Sequence, residues 1–375
     1  MLIYLLLPLT ILYCLFLSRI VIEKNNITFK SEVFIARNNM TLFLWSVLLL
    51  LLAVFKGVEV GTDYPMYYDF FVKKSYVGIV EPGVSFIYSL AIEYNSFLVF
   101  SLCVYILFIF FMFKGIQKNC PNYLISVLVF ILTYTYLTSY NQLRQMIAVS
   151  ILFCCVNYVV SNKYGDKLKY LVVILLAYLF HTSALVALIF LFIPTKKFNA
   201  KVVITLFLAT IVMYFVPSLK NYIGKFIVGI SGFYEQKYTG NLNYFFEVNK
   251  EKGLLQLIPV IVQMIILVTS LYFPHNKTNL KINYKLYNFS TNIVVINLCL
   301  YSLSGIEAID RLQIYFSCFN IYFYSFLIHL LLNNEERFYS RLFLIFIIIF
   351  WIAYYFLRLT INISGIVPYS FFISK

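Results

Sequence analysis

Residues 342–357 read LFLIFIIIFWIAYYFL, sixteen consecutive residues without a charged side chain. Three further blocks of the same kind occur along the chain, at Leu42–Phe55, Tyr123–Leu137 and Val202–Val216. Apolar blocks that approach 20 residues match the hydrocarbon core of a bilayer, which is ~30 Å thick. These blocks therefore predict helices that cross a membrane.

The composition of the whole chain supports the same class. Of 375 residues, 62% are hydrophobic and 12% are charged, whereas a soluble domain is about one quarter charged. The net charge of +14 comes from lysines and arginines clustered between the apolar blocks, a pattern typical of membrane proteins rather than of nucleic-acid-binding domains. The seven cysteines lie in or beside apolar blocks without metal-ligand spacing, so neither a disulfide framework nor a metal site is expected. The sequence predicts an all-α polytopic membrane protein, with residues 1–375 forming a single multi-span membrane domain.

The cationic clusters set the predicted topology. If each cluster lies in the cytoplasm, the spans between them run in pairs and number about 12, with Met1–Ile22 as a retained first span. The clusters are Lys24/Lys30/Arg37, Lys114/Lys118, Lys163/Lys167/Lys169, Lys196/Lys197/Lys201, Lys277/Lys281/Lys285 and Arg337/Arg341. Two sizeable extracytoplasmic segments, about residues 57–95 and 217–253, follow from this arrangement.

Two stretches do not read as simple spans. Leu168–Pro194 is interrupted at its centre by His181-Thr182-Ser183. A single helix of ~40 Å could cross the membrane, but a hairpin is favoured because it keeps the lysine clusters on both sides in the cytoplasm. The apolar part of Glu81–Asn95 is too short to cross, so this segment predicts a re-entrant half-helix, which must lie against protein or a wet cavity.

Ionisable residues at membrane depth are functional candidates, because their burial is costly unless it is compensated. Under the predicted topology six of them fall on the external side: Asp63, Glu81, Arg144, His181, Asp310 and Arg311. Plainer interpretations exist for several. Arg144 could snorkel to lipid headgroups, and Arg311 could form an interfacial ion pair with Asp310. His181 could be a packing residue, and Asp63 could serve the turn Gly61–Pro65.

Aromatic residues crowd both predicted external segments. The first segment contains Tyr64, Tyr67, Tyr68, Phe70 and Phe71. The second contains Phe233, Tyr234, Tyr238, Tyr244, Phe245 and Phe246. Such residues form either an interfacial aromatic belt or platforms on which sugar rings stack.

Four short motifs resemble elements of one known family. They are Gly61-Thr62-Asp63-Tyr64, Asn141-Gln142-Leu143-Arg144-Gln145, Phe180-His181-Thr182-Ser183-Ala184, and Arg311 with Tyr315-Phe316. In order and spacing they resemble the EpsG family, which is grouped with the Wzy-type bacterial polysaccharide polymerases. The resemblance covers about two-thirds of the chain.

The resemblance implies a glycosyltransferase-type polymerase in the bacterial cytoplasmic (inner) membrane. Such enzymes transfer a growing glycan from polyprenyl diphosphate to the next lipid-linked unit at the extracytoplasmic face, and so make O-antigen, capsule or exopolysaccharide. The expected partners are the lipid-linked donor and acceptor, membrane lipids and a chain-length regulator protein. Because the donor is already activated, no cofactor or metal is expected, and the sequence shows neither a P-loop nor an aspartate pair that resembles a metal-binding D-x-D motif.

The implied chemistry assigns roles to the candidate residues. Arginines can stabilise the diphosphate leaving group through paired hydrogen bonds, and the candidates are Arg144 and Arg311. The acceptor hydroxyl needs a base, for which the candidates, in order of preference, are Asp63, His181 and Glu81. Tyr64, Tyr67 and Tyr68 are expected to bind sugar.

Three other functions stay open. An O-antigen ligase would carry similar features and differ only in its acceptor. A flippase or transporter of lipid-linked sugars often has repeated halves, and no matching halves are evident. A membrane O-acyltransferase should carry more intramembrane polar residues than His181 alone.

Overall fold

A computed structural model describes residues 1–24, 39–216, 254–272, 282–334 and 337–372, with the single residues 218 and 222. The regular secondary structure of these residues is helical, and one isolated antiparallel bridge joins Lys56 to Phe371. The first helices are α1 Leu2–Lys24, α2 Asn39–Val54, α3 Tyr64–Lys73, α4 Pro82–Glu93, α5 Phe97–Asn119, α6 Tyr123–Leu132, α7 Thr135–Thr138, α8 Leu143–Cys154, α9 Asn157–Val160 and α10 Tyr164–Tyr178. A 3-10 helix, Thr182–Phe192, follows, and then come α11 Ala200–Tyr214, α12 Leu254–Tyr272, α13 Tyr284–Leu300, the 3-10 turn Tyr301–Leu303, α14 Glu307–Ser317, α15 Asn320–Leu332 and α16 Arg337–Ile361.

Five stretches of helix in the described chain are long and apolar enough to cross a membrane: Phe97–Asn119, Leu143–Val160, Tyr284–Leu303, Glu307–Leu332 and Phe338–Ile361. Six shorter apolar helices accompany them. The all-helical class is confirmed, and the long apolar helices fit a multi-pass membrane protein. The count of about 12 spans stays a prediction. The external segment 217–253, with its aromatic cluster, lies outside the described residues apart from positions 218 and 222.

The chain divides into two compact units. The first unit comprises Met1–Phe192, Thr278–Asn283 and Asn320–Lys375, and the second comprises Ile193–Lys277 and Tyr284–Phe319. Each unit is described by itself below. The single membrane domain expected from the sequence stays a proposal.

Helix α5 is central to the first unit, where it packs against α2, α4 and α8, while α6 packs against α1 and α15. Aromatic rings fill much of this core. The ring of Tyr322 stacks on Phe153 with centroids 4.0 Å apart, and its hydroxyl donates to the Phe153 carbonyl oxygen at 2.9 Å. Some buried polar side chains pair with each other, as in the 2.7 Å bond between the hydroxyls of Ser126 and Ser325.

The polar turn before α8 follows from a break in the preceding helix. The side chain of Asn122 caps α6 by accepting from the Ile125 N–H at 3.0 Å, a usual N-cap arrangement. Tyr134 then adopts a φ of +67°, which ends α6 and starts the short helix α7. The chain turns through Ser139–Gln142, so that Arg144 falls in the first turn of α8.

Helix α4 lies where the half-helix was predicted. Proline at its first position suits a helix start, because Pro82 has no N–H to lose there. The turn Tyr94–Ser96 returns the chain, and α4 packs against the first part of α5, with the rings of Tyr88 and Phe100 4.2 Å apart. The re-entry of this helix into a bilayer stays a prediction.

The segment Leu168–Pro194 folds as a hairpin. Helix α10 ends at Tyr178, and the 3-10 helix Thr182–Phe192 folds back and packs on it. The turn carries His181. The single-helix alternative is thereby excluded, and the side of the membrane on which His181 lies stays a prediction.

The second unit is built from α11, α12, α13 and α14. A buried asparagine on α13 fixes the chain that leads into α11. The Asn292 side-chain amide donates to the carbonyl oxygens of Pro194 at 2.8 Å and Lys196 at 2.7 Å, and its oxygen accepts from the Phe198 N–H at 3.0 Å. All three of these bonds are to main-chain groups, so Asn292 fixes the chain segment that leads into α11.

Candidate functional site

Glu81 and Arg144 form a buried ion pair in the first unit. The Arg144 Nη1 donates to Glu81 Oε2 at 2.5 Å, and the two side chains are 19% and 3% exposed. The partners are 63 residues apart in sequence, so the pair joins the start of α4 to the start of α8. Charge-assisted bonds of this kind are the strong ones, and the planar fork of arginine is held in one orientation by its partner.

The hairpin turn closes on the same carboxylate. The backbone N–H of Thr182 donates to Glu81 Oε1 at 3.4 Å. Next to it, the Gly83 N–H donates to the Leu179 carbonyl oxygen at 2.8 Å. Glu81 is therefore the point at which α4, α8 and the α10 hairpin meet.

His181 is held in one tautomer by its neighbour Ser183. The backbone N–H of Ser183 donates to His181 Nδ1 at 3.3 Å, and the Ser183 hydroxyl lies 2.6 Å from the same nitrogen. A backbone N–H can only donate, so Nδ1 is an acceptor and the ring proton is on Nε2. In this arrangement His181 presents an N–H donor at Nε2.

Tyr67 connects Arg144 to the Asp63 loop. Its side chain is buried among α4 and α5, and Tyr88 donates its hydroxyl to the Tyr67 carbonyl oxygen at 3.0 Å. Burial raises the pKa of the Tyr67 phenol, and the adjacent Arg144 guanidinium acts in the opposite direction. Tyr67 lies one turn after Asp63, on the helix that the Asp63 loop leads into.

Asp63 is the residue before α3 and is half-buried. Its Oδ1 accepts from the Thr62 hydroxyl at 3.1 Å, and it makes no side-chain cap bond to the helix. Two residues earlier, Gly61 has a φ of +112°. A Cβ there would lie 3.0 Å from the Tyr140 carbonyl oxygen, so glycine lets the Asp63 loop pack directly on the turn that precedes Arg144.

The three tyrosines expected to bind sugar differ in exposure. Tyr64 and Tyr67 are 1% and 3% exposed, and Tyr64 is bonded to the hydroxyl of Ser101. Only Tyr68 is partly exposed, edge-on to Phe97 at 5.1 Å. A sugar cannot reach the first two rings in this arrangement, so sugar binding stays a proposal that we retain for Tyr68 alone.

Sequence reasoning missed Lys56, which ends the apolar block before the Asp63 loop. It is fully buried, and among the described residues its Nζ has no hydrogen-bond partner. The Nζ lies over the ring of Tyr64, with the Tyr140 centroid 5.4 Å away. Burial lowers the pKa of the Lys56 ammonium well below its ordinary value. The signal in the sequence was a lysine directly after an apolar block at the predicted external end, where the positive-inside rule disfavours it.

Arg311 belongs to the second unit. It donates from Nε to Glu307 Oε1 at 2.9 Å, one turn earlier on α14, and the two side chains are 40% and 35% exposed. Asp310 accepts from the Gly305 N–H at 3.2 Å and 3.4 Å. Among the described residues, Glu307 is a carboxylate that pairs with Arg311, and the sequence analysis did not single it out.

Three of the four sequence motifs therefore meet in the first unit, around Glu81 and Arg144. Within the described residues no group of three His, Cys, Asp or Glu side chains is arranged to hold a metal ion. The arrangement provides an oriented arginine, a histidine donor and a half-exposed aspartate. Such groups can bind a phosphate ester and accept a proton from a hydroxyl.

Comparison with protein-family models matches the EpsG family over residues 39–371. Neither the curated proteins nor the solved structures contain a match. The family match spans nearly the whole chain and includes all four motifs. This chain belongs to the EpsG family, a family of Wzy-like polymerases.

Proposed function

We propose that this protein polymerises lipid-linked oligosaccharide repeat units at the extracytoplasmic face of the bacterial cytoplasmic membrane. The growing glycan would move from its polyprenyl diphosphate to the next lipid-linked unit. The observation that carries the proposal is the Glu81–Arg144 pair, in which a buried carboxylate holds an arginine where three motif loops meet. Family membership supports polysaccharide polymerisation in general terms.

The proposed step is a single glycosyl transfer. The acceptor hydroxyl oxygen forms a bond to the anomeric carbon of the donor glycan. The bond between that carbon and the diphosphate oxygen breaks, and its electron pair leaves with the polyprenyl diphosphate. The hydroxyl proton passes to a protein base. The step needs no oxidant, nucleotide or further reactant.

Arg144 would bind the leaving diphosphate. Its pairing with Glu81 makes the two side chains neutral together, so Arg144 acts as an oriented hydrogen-bond donor more than as a free positive charge. A donor fixed before the reaction loses little energy to reorganisation when charge develops on the diphosphate. Arg311, in the second unit, stays a proposed diphosphate-binding residue, and its side chain is 40% exposed.

Asp63 is the best candidate for the base. Glu81 already accepts from Arg144 and Thr182, and pairing with a cation makes a carboxylate a weaker base. His181 presents a donor at Nε2, because its Nδ1 accepts from Ser183. We therefore assign His181 a hydrogen bond to substrate, as a donor, rather than proton abstraction.

The test compares two aspartates, Asp63 directly before α3 and Asp69 within it. Asp63→Asn removes the proposed base, whereas Asp69→Asn changes an exposed residue that pairs with Lys73 on the same helix, at 3.2 Å. Purified variants are given synthetic polyprenyl-diphosphate-linked repeats, and products are separated on gels. We expect Asp63→Asn to lose ~100-fold or more of polymer formation and Asp69→Asn to stay within about two-fold of the parent.

Normal polymer formation by Asp63→Asn would remove the base assignment. A parent protein that forms no polymer from lipid-linked repeats in detergent would contradict the polymerase itself. Transfer to a lipid A-type acceptor would then indicate a ligase. Movement of lipid-linked sugar across vesicles without transfer would indicate a flippase.

A further inference from the structure

The segment Asn362–Phe372, which we call the strap, runs back across the Asp63 loop. Three backbone bonds attach it. The Phe372 N–H donates to the Phe55 carbonyl oxygen at 2.8 Å, the Gly57 N–H to Ser370 at 2.8 Å, and the Gly61 N–H to Gly365 at 2.9 Å. These bonds span both ends of the loop that carries Asp63. The loop itself is irregular, so the strap satisfies main-chain donors that would otherwise need water.

Side chains attach the strap to the rest of the site. The Asn141 amide donates to the Ser364 carbonyl oxygen at 2.9 Å, three residues before Arg144. The Ser370 hydroxyl donates to Glu59 Oε1 at 2.5 Å. On the opposite edge, the Tyr4 hydroxyl donates to the Ile366 carbonyl oxygen at 3.0 Å. One short segment therefore contacts both the Asp63 loop and the Arg144 turn.

The strap is also rigid in itself. The Asn362 side chain bonds Val367 twice, by donating to its carbonyl oxygen at 2.6 Å and accepting from its N–H at 3.0 Å. The Gly365 N–H donates to the Asn362 carbonyl oxygen at 3.0 Å. Gly365 has a φ of +61°, and a Cβ there would lie 3.2 Å from Thr62 Cγ2. A side chain at position 365 would therefore press against the residue before Asp63.

We propose that the strap is a positioning element that holds Asp63 in register with Arg144 for glycosyl transfer. This inference rests on the proposed function. The physical reason is that a base on an irregular loop reacts only when its position is fixed, and a displacement of ~1 Å can cost on the order of 100-fold in rate. The strap fixes that position through main-chain bonds on one side and Asn141 on the other.

A matched pair of glycine variants tests the proposal in the full chain. Gly365→Ala introduces a side chain at positive φ and against Thr62. Gly78→Ala introduces the same backbone strain, at a φ of +77°, with open space around the new methyl group. We expect Gly365→Ala to lower kcat about ten-fold, with KM for the lipid-linked repeat within about two-fold of the parent. We expect Gly78→Ala to change neither.

A second measurement is independent of catalysis. Glu59→Cys/Ser370→Cys, in a background without the native cysteines, should join with a short thiol cross-linker in membranes. Cross-linking should leave the double-cysteine protein active. In the same protein with Gly365→Ala added, it should restore kcat. A protein that merely unfolds in part would not be rescued in this way.

The outcomes separate the two proposals. An unchanged kcat in Gly365→Ala, a rise in KM alone, or the absence of a cross-link would overturn the positioning role while the polymerase stands. If the parent protein forms no polymer, the proposed function fails, and the cross-link then tests the placement of the strap by itself.

Discussion

The two units each contain an arginine bonded to a glutamate, and the pairs differ in kind. Arg144 and Glu81 come from distant segments and are largely buried. Arg311 and Glu307 are four residues apart on one helix and are well exposed. An exposed pair of this spacing contributes about 0.3–0.5 kcal/mol to stability, whereas loss of one partner from a buried pair leaves an uncompensated charge. The first pair is therefore part of the tertiary structure, whereas the second is a local contact within one helix.

The largest expected effect comes from separating the buried pair. Glu81→Gln should destabilise the protein by up to about 3–5 kcal/mol. The loss should be smaller than this range because Arg144 is partly exposed and water screens its charge. Polymer formation should fall by ~100-fold. The measurements are the thermal unfolding midpoint in detergent and the polymerisation rate. Glu93→Gln, at the exposed far end of α4, is the matched control and should leave both near the parent values.

A double variant decides whether the pair serves only structure. Glu81→Gln/Arg144→Gln removes both charges, so part of the lost stability should return. Polymer formation should not return with it, because the Arg144 guanidinium is no longer there to bind the diphosphate. If stability and polymer formation both returned, Arg144 would have no part in diphosphate binding, and the buried pair would act on folding alone.

An intermediate effect is expected at the exposed pair. Arg311→Lys keeps the charge and loses the planar fork, so KM for the lipid-linked repeat should rise about ten-fold while protein abundance holds. Arg341→Lys, an exposed arginine on α16, serves as the control. Glu307→Gln should be nearly silent. If Glu307→Gln were as harmful as Arg311→Lys, the second pair would act as a unit, and the contrast with the first would disappear.

The smallest effect concerns the attachment of the strap. The hydrogen bond from Ser370 lowers the pKa of the Glu59 carboxyl. A lowered pKa in the folded state means that the contribution to stability is present above the ordinary carboxyl pKa and is lost as the pH falls through the folded value. The unfolding midpoint should therefore be flat near neutral pH and decline below about pH 4. Glu59→Gln should make that decline smaller and change polymer formation by less than about two-fold.

The sequence predicted the class of fold well because apolar length is a local property. Each quoted apolar block overlaps an apolar helix, residues 342–357 the long helix Phe338–Ile361 and the other three shorter ones. The hairpin at His181 followed from charge placement. The polar residues of the site were also named, but their relations were not. Glu81 and Arg144 were given separate roles, because nothing in two segments 63 residues apart shows that their side chains meet.

Other features were hidden for different physical reasons. Tyr64 and Tyr67 look like sugar platforms in a polar external segment, yet α4 and α5 pack over them. The tautomer of His181 depends on a backbone N–H, which carries no sequence signal. The strap contacts the loop largely through main-chain atoms, and any residue type supplies those. Its sequence-specific features are the positive φ of Gly365 and the side-chain bonds of Asn362 and Ser370.

The strap has a consequence for how the protein is made. Ser370 meets Glu59 across 311 positions, and Ile366 meets Tyr4 across 362. The ribosome therefore delivers the proposed catalytic residues long before the segment proposed to position them. If the strap positions Asp63, the Asp63 loop gains this support only after α16 and residues 362–372 have been synthesised and inserted. A chain whose synthesis stops within α16 would then hold all of its proposed catalytic residues without the segment that positions them.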